Sequence, residues 1–277
     1  MKVGFIIIGA MKCATTSLAE LLEMHPQVGF SRPKEPCFFS KAKHAPKTLE
    51  EYHNCFQNKE SAKIYGEAST SYTAAIKSNR DIAEKIFAYN PDMKLIYMVR
   101  NPFDRIISQY VHNVQRGREK RSFDKAIQED PHYISLSAYY KQIKDYVELF
   151  GMKNILIIDF DDFKNKNEMV LKDVAAFINI NYEKLSKINH HTNKSLGEQK
   201  LPPALDKYFI KYRSIIQKIP KQYRVKIKDV LAEIRGTKVK EKPKLKEETK
   251  KWIWQQLEND YKNFVELTGK ERPHRLP

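Results

Sequence analysis

Residues 3–18 read Val3-Gly-Phe-Ile-Ile-Ile-Gly9-Ala-Met-Lys12-Cys13-Ala14-Thr15-Thr16-Ser17-Leu18. The apolar run Val3–Ile8 stops at Gly9, and small residues lead into an amphipathic helix that begins near Thr15. This succession predicts a strand, a phosphate-binding loop and a helix whose first N–H groups face an anion. The spacing from Gly9 to Thr16 is that of the Walker frame G-x-x-x-x-G-K-[ST], with two changes. Ala14 replaces the second glycine, and Thr15 stands where the Walker lysine would be. A lysine occurs three residues earlier, at Lys12. The loop can cradle a phosphate but lacks the lysine that grips the β- and γ-phosphates of a triphosphate. It reads as a loop for a nucleotide of another kind.

The 277 residues around this loop are 41% hydrophobic, with 15 Tyr and 14 Phe, which argues for a folded globule with an ample core. Cys13, Cys37 and Cys55 form no C-x-x-C pair, and their odd number speaks against a disulfide framework. No run reaches the roughly 20 apolar residues that span a bilayer. The first strand begins almost at Met1, so a soluble, cytoplasmic protein is the expectation. The net charge is +16 and uneven: residues 200–251 hold 17 Lys/Arg against 6 Asp/Glu, an excess of 11. Such a stretch attracts polyanions, although lysines that merely solvate helix faces would look the same.

Outward from the loop, Val28–Phe30, Ala62–Glu67, Lys94–Val99 and Asn154–Ile158 read as further strands. Between them Thr48–Gln57, Asp81–Tyr89, Pro102–Arg116, Ser137–Phe150 and Glu168–Ile178 read as helices. Alternation of this kind predicts an α/β fold, a three-layer P-loop-type parallel sheet flanked by helices. A single domain over 1–277 is expected, with an α/β core at 1–199 and a helical basic extension at 200–277. The extension ends in a helix near 246–267.

A second segment carries chemistry: Arg100-Asn101-Pro102-Phe103-Asp104-Arg105-Ile106-Ile107-Ser108-Gln109-Tyr110. Arg100 follows a buried strand, where open α/β sheets bind ligands. A guanidinium with a helix hydroxyl suits a terminal phosphate monoester. The two segments in tandem resemble the sulfotransferase family that uses 3′-phosphoadenylyl sulfate (PAPS). Residues 9–18 match its 5′-phosphosulfate loop, and residues 100–110 match its R-x-P-x-x-R-x-x-S-x-Y motif for the 3′-phosphate. The resemblance covers about residues 3–195. It implies PAPS as cofactor, adenosine 3′,5′-bisphosphate as product, and no metal. Lys12, Cys13, Ala14, Thr15, Thr16 and Ser17 would hold the 5′ side, and Arg100 and Ser108 the 3′-phosphate. Lys194 and Lys200 fall where the family closes a basic loop over the cofactor.

A third segment, Lys34-Glu35-Pro36-Cys37-Phe38-Phe39, resembles the K-E-P-x-F-F stretch of bacterial and heparan-type carbohydrate sulfotransferases. There a glutamate matching Glu35 takes the acceptor's proton, and the resemblance implies that Lys12 neutralises charge on the leaving 5′-phosphate. Glu67, in Gly66-Glu67-Ala68-Ser69, is a second acid for which a structural hydrogen-bonding role is an equal expectation. Asp159, Asp161 and Asp162 superficially suggest a metal site but read as solvated acids at a strand end. His190-His191 lack a third ligand. The acceptor is expected to be a hydroxyl or amine of a carbohydrate, with an anionic glycan or lipid as the partner chemistry. Peripheral membrane contact is compatible with the charge, and no nucleic-acid partner is expected. Two other classes share parts of this pattern. A metal-dependent P-loop nucleotide kinase is opposed by Thr15. A non-catalytic polyanion-binding protein is opposed by the intact Lys12, Glu35, Arg100 and Ser108.

Overall fold

Val3–Gly9 forms β1, and six of its seven residues are buried. Both faces of a parallel strand are covered, which is why the run is continuously apolar instead of alternating. The computed structural model describes residues 1–40, 42–74, 78–186, 188 and 241–269. Four more strands join β1: β2 (Val28–Phe30), β3 (Ile64–Ala68), β4 (Lys94–Val99) and β5 (Ile155–Asp159). They make one sheet in the order β2-β3-β1-β4-β5, and every pairing is parallel. Ile7 sets the register, opposite Ala68 on one side and Ile96 on the other.

The chain runs from β1 outward to β2, returns to β3 and then crosses to β4 and β5 on the far side. Strand order therefore reverses at β1, and a crevice opens outside the carboxyl ends of β1 and β4. Backbone bonds tie these ends together. The Ala10 N–H donates to the Met98 carbonyl at 2.7 Å, and the Ser69 N–H to that of Ile7 at 3.1 Å.

Helices follow the strands as the sequence pattern requires: α1 (Thr15–Met24), α2 (Leu49–His53), α3 (Arg80–Tyr89) and α4 (Pro102–Gln115). Asn101 caps α4, its Oδ1 accepting the Phe103 and Asp104 N–H groups at 3.0 and 3.3 Å. Pro102 then takes the first helical position, where no N–H is needed. Beyond α4 come α5 (Phe123–Glu129), α6 (His132–Ser135), α7 (Tyr139–Phe150), α8 (Phe160–Asn165), α9 (Asn167–Phe177) and α10 (Tyr182–Ser186). Among these α5, α6, α8 and α10 escaped the sequence reading, because helices of four to seven residues show too few turns for a periodic pattern. The expected helix at 48–57 shortens to Leu49–His53. A last described helix spans Glu247–Thr268. No described helix is long and apolar enough to cross a membrane.

The chain divides into two compact units. The first comprises Met1–Arg105, Ile134–Thr192 and Ile253–Pro277, and it contains the whole sheet. The second comprises Ile106–Tyr133 and Asn193–Trp252. Within it the Arg121 guanidinium holds the Glu119 carboxyl down to about 2. The Thr249 hydroxyl there donates to Asp124 at 2.7 Å.

Two positions at the end of β1 constrain the backbone. A Cβ at Gly9 would collide with the Thr73 hydroxyl and lie 3.0 Å from the Tyr97 ring. Ala14 sits at φ 68°, in the left-handed region that costs an L-residue about 1–2 kcal/mol. Ala14→Gly should therefore raise unfolding stability by about 1 kcal/mol, while Gly9→Ala should lower the midpoint. Urea unfolding of both variants checks this. A less stable Ala14→Gly would contradict the backbone geometry of the loop.

Candidate functional site

The loop after β1 turns through two left-handed residues, Lys12 at φ 71° and Ala14 at φ 68°, and the Cys13 N–H closes it on the Ala10 carbonyl at 3.2 Å. Ala14 is the N-cap of α1 and supplies no side-chain hydrogen bond. The first N–H groups of α1 thus have no capping side chain, which leaves the positive end of the helix dipole suited to an anion. Lys12 and Ala14 are half-buried, Thr16 is exposed, and Cys13, Thr15 and Ser17 are buried.

Arg100 follows β4 at the neighbouring strand end. The Tyr139 hydroxyl fixes its backbone twice, accepting its N–H at 3.2 Å and donating to its carbonyl at 2.7 Å. The same hydroxyl lies 3.8 Å from the Cys13 thiol, so one tyrosine on α7 joins the phosphate loop to the end of β4. The Arg100 guanidinium stacks 4.3 Å above the Phe160 ring. Its Nε is buried and has no hydrogen-bond partner among the described residues. A buried donor without an acceptor is costly, and an anion placed there would relieve the cost. Arg105, one helical turn on, has a different environment. It is fully buried, donates from Nε to the Ser137 hydroxyl at 2.5 Å, and burial pulls its guanidinium below the usual arginine range. Ser108 is half-buried on α4 and belongs to the second unit.

Glu35 sits on the segment between β2 and α2. The Ser31 hydroxyl and the Ala68 N–H both donate to the Lys34 carbonyl, at 3.2 and 3.3 Å, and pin the segment to the end of β3. The Lys34 ammonium then donates to the Thr16 hydroxyl at 3.0 Å and to Glu35 Oε1 at 3.2 Å. The Thr70 hydroxyl approaches the same Glu35 oxygen at 3.4 Å. One lysine therefore spans the phosphate loop's helix and the expected base. The sequence holds no signal for the Lys34 bridge, since nothing in the spacing shows that Thr16 lies across the fold from it.

Glu67, the last residue but one of β3, is fully buried. It accepts three hydroxyls: Tyr52 at 2.9 Å, Tyr72 at 2.8 Å and Ser69 at 2.5 Å. Burial raises its carboxyl to about 7, and the three donors oppose that rise. The structure gives Glu67 the hydrogen-bonding role and no exposed surface. Asp159 likewise has a structural use, its carboxylate accepting the Asp161 N–H at 2.7 Å as the N-cap of α8. No group of three or more His, Cys, Asp and Glu among the described residues could hold a metal ion. His190, His191, Lys194 and Lys200 lie outside the described residues.

The sulfotransferase domain model matches residues 3–199, and the chain belongs to the sulfotransferase family. It is 32% identical over 122 residues to the membrane-associated sulfotransferase kil1 of Dictyostelium discoideum, covering 43% of this chain and 25% of that protein. It is 27% identical over 206 residues to heparan sulfate glucosamine 3-O-sulfotransferase 5 of Mus musculus, covering 69% of this chain and 57% of the relative. The chain thus spans from a quarter to somewhat over half the length of these relatives. Among solved structures, a sulfotransferase from Alicyclobacillus acidocaldarius shares the fold at a TM-score of 0.71, with 20% identity and 98% of each chain covered.

The buried Glu67 carboxyl makes stability depend on pH. Its folded value of about 7 lies above the ordinary 4.5, so the folded chain keeps a proton that the unfolded chain has released. The stability this group contributes is full below about pH 4.5 and is lost as the pH rises through about 7. Glu67→Gln should remove that component. Urea unfolding at pH 5 and pH 8 should show a smaller loss of stability across the window in the variant than in the wild type. Equal losses in the two proteins would contradict the raised carboxyl.

Proposed function

We propose that this chain transfers a sulfuryl group from PAPS to a hydroxyl or amine of a carbohydrate acceptor, with Glu35 as the base. The observation that supports this reading most is the Lys34 bridge, which keeps the Glu35 carboxylate one side chain away from Thr16 at the phosphate loop. The cofactor, when bound, supplies the sulfuryl group and departs as adenosine 3′,5′-bisphosphate.

The chain's own residues then have distinct tasks. Lys12, the loop Cys13–Ala14 and the N-terminal turn Thr15–Ser17 hold the 5′-phosphate and offset negative charge that develops there. The Arg100 guanidinium, with its unpartnered Nε, takes the 3′-phosphate. The family motif assigns Ser108 to that phosphate too. Lys194 and Lys200 are proposed to close over the nucleotide on the same ground. Glu35 removes the acceptor's proton as the new bond to sulfur forms, which requires the acceptor oxygen or nitrogen within hydrogen-bond reach of its carboxylate. A carbohydrate acceptor is supported by the heparan sulfate glucosamine 3-O-sulfotransferase relative. The basic stretch 200–251 favours a glycan that carries sulfate or uronate groups.

Transfer of labelled sulfuryl from PAPS to a panel of sulfated, uronate-bearing and neutral glycans tests the reading. Glu35→Gln should lower turnover by roughly 10²–10⁴-fold and leave the affinity for adenosine 3′,5′-bisphosphate nearly unchanged. Turnover close to the wild type would remove Glu35 as the base.

A further inference from the structure

The hydrogen bonds of Glu67 continue beyond its three donors, and all three lead to one short segment. A hydroxyl has a single hydrogen, so a hydroxyl that gives it to a carboxylate turns its lone pairs the other way. Ser69 gives its hydrogen to Glu67 Oε2 and accepts the Cys37 N–H at 3.1 Å. Tyr72 gives its hydrogen to Glu67 Oε1 and accepts the Phe39 N–H at 3.4 Å. Tyr52, the third donor, lays its ring on that of Phe38, with centroids 4.6 Å apart and planes 8° from parallel. Cys37, Phe38 and Phe39 are the three residues after Glu35-Pro36. Each is held by a different donor of the same carboxylate.

The arrangement answers a local need. Pro36 has no N–H, and Cys37 stands at φ 57°, a conformation that a residue with a side chain keeps only when its surroundings impose it. On the Glu35 side the segment is held through Lys34, whose ammonium is also engaged with Thr16. The far side is fixed from below, by Glu67. Resting on the reading of Glu35 as the base, we infer that Glu67 is a positioning residue. Through the Ser69 and Tyr72 hydroxyls and the Tyr52 ring, it sets the course of residues 37–39 and with it the placement of Glu35 over the phosphate loop. Ionised, as it is above about pH 7, the carboxyl suits this task because it then only accepts, and all three hydroxyls must point their hydrogens inward. An amide at this place has a donor end and would turn at least one of them around.

Backbone amide exchange at pH 8, in the protein without nucleotide, tests the inference, and it needs no assumption about activity. Glu67→Gln should speed exchange at both Cys37 and Phe39 by about tenfold or more. Ser69→Ala should speed Cys37 alone, and Tyr72→Phe should speed Phe39 alone. The amides of β4 should keep their protection in all three variants. In the transfer assay each variant should lower kcat while the affinity for adenosine 3′,5′-bisphosphate stays within about twofold, the split expected when the base is misplaced and the phosphate loop is not. Uniform acceleration across the sheet, or no change at Cys37 and Phe39, would overturn the inference. Should Glu67→Gln not fold, the selective patterns of Ser69→Ala and Tyr72→Phe decide. If the wild type transfers no sulfuryl group, the Glu35 reading fails, and the exchange pattern still judges the hold of Glu67 on residues 37–39.

Discussion

The parallel pairing of β1 between β3 and β4 constrains everything else in the first unit. Ile6 and Ile7 sit opposite Glu67 and Ala68 on one side and Leu95 and Ile96 on the other. Because all three strands run the same way, their carboxyl ends emerge at one edge of the sheet. The residues that follow them are the phosphate loop, the Ser69–Thr73 turn and Arg100. A slip of one residue would exchange the two faces of every side chain, so the separate packing of each covered face selects the register. Function at this edge is thus a consequence of core packing.

Polar groups at the edge are arranged in two layers. In the upper layer Lys34 joins Thr16 to Glu35, half-buried and open to ligands. In the lower layer Glu67 and its three hydroxyls are sealed from water. A carboxyl without solvent is costly, and the rise to about 7 measures how much of that cost remains after three hydrogen bonds. Natural cores rarely keep such a group unless it organises something, and the segment 37–39 is what it organises here. Tyr139 performs a smaller version of the same service between Cys13 and Arg100.

Much of this was legible in the sequence where the chain's own neighbours decide the outcome. The strands Val28–Phe30 and Lys94–Val99 fall where the apolar runs place them, and Pro102 after Asn101 marks the start of α4. Glu35 near the phosphate loop followed from the K-E-P segment, and the structure brings the two together through Lys34. What the sequence withheld depends on contacts across the fold. Ser69 and Tyr72 are unremarkable in a serine- and threonine-rich turn until Cys37 and Phe39 lie above them. Ala14 stands where the Walker frame has its second glycine, and only the fold shows that its left-handed φ makes it a strained residue. Asp159, Asp161 and Asp162 read as solvated acids at a strand end, and the Asp159 bond to the Asp161 N–H gives the first of them a capping role that the sequence does not reveal.

The edge beside β1 and β4 is proposed to hold a nucleotide carrying phosphate at both the 3′ and 5′ positions. Titration calorimetry with adenosine 3′,5′-bisphosphate and with AMP, on the wild type and on Arg100→Ala, tests it most directly. The wild type should bind the bisphosphate more tightly by about ten- to a hundredfold, the worth of a charged hydrogen bond from the buried Nε of Arg100, and Arg100→Ala should remove most of the difference. Equal affinity of the wild type for the two nucleotides would contradict it.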